Sequence, residues 1–526
     1  MNPRTNMRTI SATISATNSR PNSRTNMRTL TRTNTRRITS ALLAGALLAW
    51  PAACAHYTRN VALPDSIPSD FPRYRLRDAR RANSHNDSIL VLVSASGGGT
   101  RAAAVVYGVL QEMEHTSLGG THTLADEIDV ISSVSGGSFP AAYFGLFGST
   151  KLNEFYSKFL LWNAQNSLIL SLAYPGLFKL PSKTYSRIDL AERLWRQHLF
   201  GDHTIADFQN GNHPFIIING TDFSSGGQFS FVSEFFEPMC SDVRQVPIAR
   251  AVATSSAFPA LLNPTSFKNF GGKCDYGLPI WVSELVGPTG NVDAGHNASS
   301  PESREKARAA AEVVSLQHAA IRPYVHVMDG GIADNLGLRP LIRAVTQSDH
   351  GESLMPDINS GRIKKVLWVV INARTANSVP NDRKENPPNF IQVLDASAGR
   401  PMNRLTDESL EALGDRVVNR RTVLAEICKR GENASKAKSE NVREYIVYVS
   451  FDRLMDEHER SYFFEMPTTF GLPKKTVDDL VAFGRKAFRS APELNSFLND
   501  EDSGVGRCTY ATRDWLIPWR AGPDVP

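Results

Sequence analysis

Apolar residues along this chain gather into short continuous runs closed by glycine and small polar residues. Ser88–Val93, Asp129–Ser133, Phe215–Asn219, Tyr324–Met328, Val366–Ile371 and Glu444–Phe451 are runs of this kind, and their length and β-branched content predict buried strands. Between them, Arg101–His115, Ala141–Phe147, Pro301–Ala320 and Leu405–Lys429 have helical character. Strand, glycine turn and helix in alternation predict an α/β fold, a three-layer arrangement in which a mostly parallel sheet is covered by helices on both faces. The expected organisation is a main domain over 88–345 and a C-terminal α/β extension over 346–526 that packs on the same sheet. Residues 55–87, polar and proline-containing, read as a tether or an irregular first layer, and 372–402 as a loop-rich connection.

Before residue 55 the pattern is of another kind. The stretch Arg4–Thr9 recurs as Arg24–Thr29, and this low-complexity leader has nothing with which to build a core. Arg36-Arg37, the apolar run Ala41–Trp50 and Pro51-Ala52-Ala53-Cys54 follow, in the order of a secretory signal's basic, apolar and cleavage regions. Ten apolar residues are too few for a permanent spanning helix. Export is therefore expected, to the periplasm or to a membrane, either by cleavage behind Ala53 or Ala55 or by lipidation of Cys54.

Charge and cysteines fit that expectation. The net charge is +5, yet residues 1–53 alone carry eight Arg and no acid, so the remainder is net acidic and offers no general argument for a nucleic-acid partner. Leaving Cys54 aside, Cys240, Cys274, Cys428 and Cys508 are an even number with no CxxC or metal-site spacing. An oxidising compartment could pair them, Cys240 with Cys274 first; the alternative is four free buried thiols.

Three short segments at predicted strand ends carry chemistry, and in an α/β sheet such ends converge. Ser96-Gly97-Gly98-Gly99-Thr100-Arg101 is a glycine turn entering a helix, suited to holding a developing oxyanion on its N–H groups. Its spacing also fits a dinucleotide fingerprint, but no acidic residue closes a second strand about twenty positions on. Ser133-Val134-Ser135-Gly136-Gly137 matches a nucleophile elbow with Ser133 in place of the first glycine. Asp329-Gly330-Gly331 puts a carboxylate at a strand end within reach of such a serine.

At these residues the sequence resembles the patatin-like phospholipase family, over roughly residues 88–345. The likeness extends to Ala253–Pro259, Tyr185–Asp189 and Asn219–Asp222, and Ser96 stands where many members have Asp. The resemblance implies a serine acyl hydrolase acting on fatty acyl esters of lipids or phospholipids. Ser135 is then the nucleophile and Asp329 its sole base. The oxyanion hole lies within Gly97, Gly98, Gly99, Thr100 and Arg101, around Gly98 and Gly99, while Ser133, Gly136, Gly137, Gly330 and Gly331 support the two turns. No metal or cofactor is required. The same fold could instead serve a catalytically silent lipid-binding protein or an acyltransferase.

Two further expectations follow. His350 and His458 stand at no strand end beside small residues, and His326 is an odd number of positions from Asp329 on one strand and so faces away from it; the site is expected to work without histidine. The aromatic-rich stretch from Phe155 to Phe178, with Phe159-Leu160-Leu161-Trp162 and Leu168–Leu170, reads either as helices packed in the core or as a surface lying on lipid.

Overall fold

The computed structural model describes residues 57–58, 60–82, 86–173, 186–211, 213–259, 261–287, 292, 301–347, 353–375, 385, 390–429, 442–500 and 517–520. Among the described residues eleven strands run in chain order: β1 (Tyr57–Thr58), β2 (Ile89–Ala95), β3 (Ser117–Gly119), β4 (His122–Thr123), β5 (Ile128–Val134), β6 (Phe215–Asp222), β7 (Gln228–Ser230), β8 (Thr265–Lys268), β9 (Tyr324–Asp329), β10 (Lys365–Asn372) and β11 (Arg443–Ser450). All but the small β3–β4 hairpin belong to one sheet of order β1-β8-β9-β6-β5-β2-β10-β11, with β7 added on β6. The six apolar runs supply its centre. Every residue of β5, β6 and β11 is buried, as strands covered on both faces require.

The sheet is mixed. Strands β6, β5, β2, β10 and β11 form a parallel block, whereas β9 runs antiparallel to both β6 and β8. The principal helices are α1 (Leu76–Ala82), α2 (Gly99–His115), α3 (Ser138–Phe147), α4 (Ala164–Ala173), α5 (Arg187–Trp195), α6 (Ile248–Ser255), α7 (Pro301–Gln317), α8 (Leu338–Thr346), α9 (Phe390–Lys429) and α10 (Lys474–Arg489). Helices α2 and α3 connect β2 to β5 and β5 to β6, steps in one direction along the sheet; α9 connects β10 to β11, a step in the other. Right-handed crossovers therefore put α9 on the opposite face. Helix α10 crosses α2 so closely that a side chain at Gly108 or Gly484 would run into backbone of the other helix.

One expectation is corrected, and two readings that the sequence left as alternatives are resolved. The connection read over 372–402 is helical from Phe390 onward, with Pro401 inside α9; Gly399 and Pro401 signal a break locally, at a cost of about 1 and 3 kcal/mol, but Leu410, Leu413, Val417 and Leu424 of the same helix are buried in the core, and that burial outweighs the cost. Residues 60–82 are no free tether, because Leu76 and Tyr74 are buried and the Tyr74 hydroxyl donates to the Ile216 carbonyl at 2.8 Å and accepts from the Ile216 N–H at 3.0 Å. The aromatic stretch divides: Phe155, Phe159, Leu160 and Leu168 are core residues, while Leu161, Ile169 and Leu170 are exposed; Leu177 and Phe178 lie outside the described residues.

Cys240 and Cys274 form a disulfide. Cys428 is disulfide-bonded as well. Cys54 and Cys508 lie outside the described residues, as do the leader and the apolar run before Cys54. Among the described residues no helix is long and apolar enough to cross a membrane.

Candidate active site

The three glycine-rich segments meet at one end of the parallel block. Strand β5 stops at Val134, and Ser135 turns the chain through φ +48°, left-handed backbone that a side chain rarely adopts. A 3-10 turn over Ser135–Gly137 leads directly into α3, so the positive end of that helix lies beneath the serine. Strand β2 ends beside β5, and its turn at Gly97–Gly98 opens α2. The two turns touch. A β-carbon at Gly136 would stand 2.1 Å from the Gly99 carbonyl oxygen, and one at Gly137 would stand 2.6 Å from that of Ser96; this is why the residues after Ser135 have no side chain. Ser133, the departure from glycine in the elbow, fits because its hydroxyl donates to the Ile217 carbonyl at 3.1 Å on neighbouring β6.

Asp329 arrives by a different route from the one expected of a parallel sheet. Strand β6 extends beyond the level of Ser135, β9 pairs antiparallel with that overhang, and β9 descends until Asp329 lies opposite Gly220. The end of β9 is fastened on all sides. The Asp329 N–H donates to the Ala257 carbonyl at 3.2 Å, the Gly330 N–H to the Ser255 carbonyl at 3.2 Å, and the Thr221 hydroxyl to the Asp329 carbonyl at 2.7 Å. Gly330 is obligatory here, since its β-carbon would lie 2.3 Å from the Asn219 carbonyl oxygen.

Electrostatics follow from this burial. Asp329 is 3% exposed and Ser135 7%. Desolvation pushes the Asp329 carboxyl up to about 7, against the hydrogen bonds from the Gly331 N–H, at 2.8 Å, and from the Ser135 hydroxyl, both of which pull it down. No cationic partner contributes to that balance. The carboxyl is thus a much stronger base than an exposed aspartate while remaining partly ionised near neutrality.

The glycine loop divides its donors unevenly. The Gly97 N–H goes to the Asn335 carbonyl at 3.0 Å and the Thr100 N–H to the Thr469 carbonyl at 2.8 Å. The Arg101 guanidinium is spent on the Ala373 and Met466 carbonyls, at 2.9 and 2.7 Å, and on the Thr468 hydroxyl at 3.1 Å. The Gly98 and Gly99 N–H groups have no such acceptor among the described residues. Ser96 reaches the Ala373 N–H with its hydroxyl at 2.9 Å, tying the loop to the end of β10.

Sequence reasoning assigned no role to Ser255, although it quoted the stretch that contains it. This hydroxyl, at the end of α6, accepts from the Ser135 N–H at 2.8 Å and donates to the Asn219 carbonyl at 2.6 Å. Helix α6 is itself anchored: Arg250 pairs with Asp189 at 2.5 Å and also with Glu192, and Asp189 closes a capping box with Ser186. Asn219 is a second hub, with its amide donating to the Ser132 hydroxyl and Ser133 carbonyl and its side-chain oxygen accepting from Gln228 and Ser230. His326 bonds Ser266 at 2.7 Å, and His458 is exposed on the helix Glu457–Phe464; His350 lies outside the described residues. Among the described residues no group of acidic, histidine or cysteine side chains could hold a metal ion.

A serine on a strained turn, a buried carboxyl beside it and two unengaged amides opposite are what an acyl-transfer site needs, and they lie within one family match: residues 93–342 fit the family model described as patatin-like phospholipase. The chain carries a patatin-like phospholipase domain. No curated protein sequence matches the chain significantly. Among solved structures it is similar to human GIVD cytosolic phospholipase A2, at 11% identity and a TM-score of 0.38 over 83% of this chain and 65% of that one. VipD from Legionella pneumophila follows at 13% identity and 0.29, over 86% and 73%. The ExoU–SpcU complex from the type III secretion system of Pseudomonas aeruginosa follows at 14% and 0.21, over 82% of each chain. The chain thus spans just under two thirds of the human structure's length. Outside the patatin-like domain, β10, β11 and α10 continue the same sheet and its helical cover.

Proposed function

We propose that this protein is a serine acyl hydrolase that cleaves fatty acyl esters of lipids or phospholipids through a Ser135–Asp329 dyad. One observation carries the proposal: the Ser135 hydroxyl is hydrogen-bonded to the buried carboxyl of Asp329, which desolvation pushes up to about 7 with no cation beside it. In the first half-reaction Asp329 takes the hydroxyl proton as Ser135 Oγ bonds to the ester carbonyl carbon. The resulting oxyanion is stabilised by the Gly98 and Gly99 N–H groups and by the N-terminal ends of α2 and α3. The tetrahedral species collapses, the carbon–oxygen bond to the alcohol breaks, and Asp329 returns its proton to the departing alkoxide. A water molecule then gives a proton to Asp329 and attacks the acyl-enzyme; collapse breaks the bond to Ser135 Oγ, which takes the proton back from Asp329, and frees the fatty acid. The backbone left-handed at Ser135 supports this reading, because such strain persists where the surrounding structure enforces it and often marks function.

The test is labelling with a fluorophosphonate and assay of fatty acid release from a panel of phospholipids, lysophospholipids and neutral lipids. The adduct is expected on Ser135, and Ser135→Ala abolishes both labelling and release with the fold unchanged. Undiminished labelling of that variant removes Ser135 from the role.

We also propose that the protein is exported, to the periplasm or as a lipoprotein anchored through Cys54. The Cys240–Cys274 disulfide supports this, since such bonds persist in oxidising compartments. Mass spectrometry of the native N-terminus decides it: diacylglyceryl-Cys54 means an anchored protein, a new free terminus a soluble one, and an intact leader overturns the proposal.

A further inference from the structure

The donors of the glycine loop point to a participant that lies outside the patatin-like match. Residues 466–471, between the helix Glu457–Phe464 and α10, run directly across that loop. Met466 and Thr468 accept from two arms of the Arg101 fork, and the third arm goes to Ala373. The Thr469 carbonyl accepts the Thr100 N–H in the first turn of α2. The approach is as close as backbone allows, for a β-carbon at Gly99 would lie 2.4 Å from the Thr469 carbonyl oxygen. Beyond it, Phe470 packs its ring against Phe139 of α3 and Trp195 of α5, and exchanges hydrogen bonds with Gln165 of α4. One short segment therefore holds the oxyanion loop and the helix behind Ser135 together.

We infer that Met466–Gly471 is a strap that sets the oxyanion hole, and that Arg101 is a positioning residue acting through it, with its guanidinium turned to protein acceptors and away from substrate. The physical reason lies in the loop itself. Gly98 and Gly99 have φ of +140° and +61°, conformations that glycine reaches freely and leaves as freely. Two unengaged N–H groups on so permissive a backbone keep one orientation only if their neighbours are fastened. The strap does this on the C-terminal side, at Thr100 and Arg101, as Asn335 does at Gly97. Arg101 is buried, and its pKa is lowered only to about 10, so the fork stays charged at neutral pH and its hydrogen bonds are charge-assisted. The flat, five-donor geometry is what three separated acceptors demand, and lysine cannot supply it.

This inference rests on the hydrolase reading. Its test uses the full chain, active-site titration with a fluorophosphonate and turnover of p-nitrophenyl butyrate per titrated site. Arg101→Lys is expected to lower kcat about 100-fold, the scale of a lost oxyanion donor, with KM within about threefold of the wild type. Thr468→Val, at an exposed position that folding tolerates, is expected to lower kcat several-fold, and the double variant by less than the product of the two because both act on one fork. Unchanged kcat per titrated site in Arg101→Lys, with or without fewer titratable sites, overturns the inference by reducing Arg101 to a stability role. A rise in KM alone also overturns it, since it makes the guanidinium a substrate-binding group. Should Arg101→Lys not fold, Thr468→Val decides, and wild-type kcat there overturns the strap. Failure of the hydrolase reading is separately visible as full turnover in Ser135→Ala.

Discussion

The Ser135 N–H donates to the Ser255 hydroxyl at 2.8 Å, and that hydroxyl passes its own hydrogen to the Asn219 carbonyl at 2.6 Å. Since the Ser255 carbonyl also receives the Gly330 N–H, this one residue fixes both the turn carrying the proposed nucleophile and the turn beside the proposed base. Ser255→Ala leaves a buried N–H and a buried carbonyl unpaired, at about 1–3 kcal/mol each. Denaturant unfolding should show the loss in stability, and fluorophosphonate labelling should slow at least tenfold. A variant that labels and unfolds as the wild type does removes Ser255 from this role.

Activity should have an acidic limb set by Asp329. The carboxyl accepts the serine proton only when ionised, and burial places its pKa at about 7 instead of 3.8. The expected kcat/KM profile is thus high above pH 7, half-maximal near it and falling tenfold per pH unit below. A limb in the ordinary aspartate range would mean that another group is the base.

The same burial costs stability, and the sign can be read from the shift. Asp329 binds its proton more tightly folded than unfolded, so its contribution is full below the unfolded pKa and is lost as pH rises toward 7. Asp329→Asn, which cannot ionise, should be inactive yet melt above the wild type at pH 8, by an amount on the order of a few kcal/mol. The advantage should shrink as pH falls from 7 to 4. Equal melting of the two proteins at pH 8 contradicts a strongly raised carboxyl.

Histidine should be dispensable. His458 is exposed on its helix and His326 is engaged by Ser266, so His458→Ala and His350→Ala are expected to keep near-normal turnover. A loss of several orders of magnitude in either, with the fold intact, replaces the dyad by a triad.

The Cys240–Cys274 disulfide closes a loop of 34 positions, for which chain entropy alone gives roughly 3–4 kcal/mol. Replacing both cysteines by serine should lower the unfolding midpoint in proportion and leave turnover per titrated site unchanged. A change in turnover with no change in stability would tie this bond to the site.

Much of the proposed site is legible along the chain because its parts are local. A serine between a β-branched strand and two glycines, and an aspartate before two more, each announce a strand end that must turn tightly, and the collisions a β-carbon would make at Gly136 and Gly330 explain why. Within the stretch Gly97–Arg101 the sequence does not show which donors have protein partners: the N–H groups of Gly97 and Thr100 and the side chain of Arg101 are engaged by residues up to about 370 positions away. No local pattern marks Thr469, because a carbonyl oxygen is common to every residue.

What the sequence determined by itself is therefore what depends on short range: the alternation of buried strands and helices, the turns that demand glycine, and the types of residue offered at each strand end. The tertiary structure alone decided the rest. It turned β9 antiparallel so that Asp329 descends onto Ser135 from an overhanging neighbour, withdrew that carboxyl from water and so raised its pKa, placed Ser255 between the two turns, and laid Met466–Gly471 across the glycine loop. Each of these depends on which distant segments share a boundary and on how much water they exclude, and neither quantity is a property of any local stretch of chain.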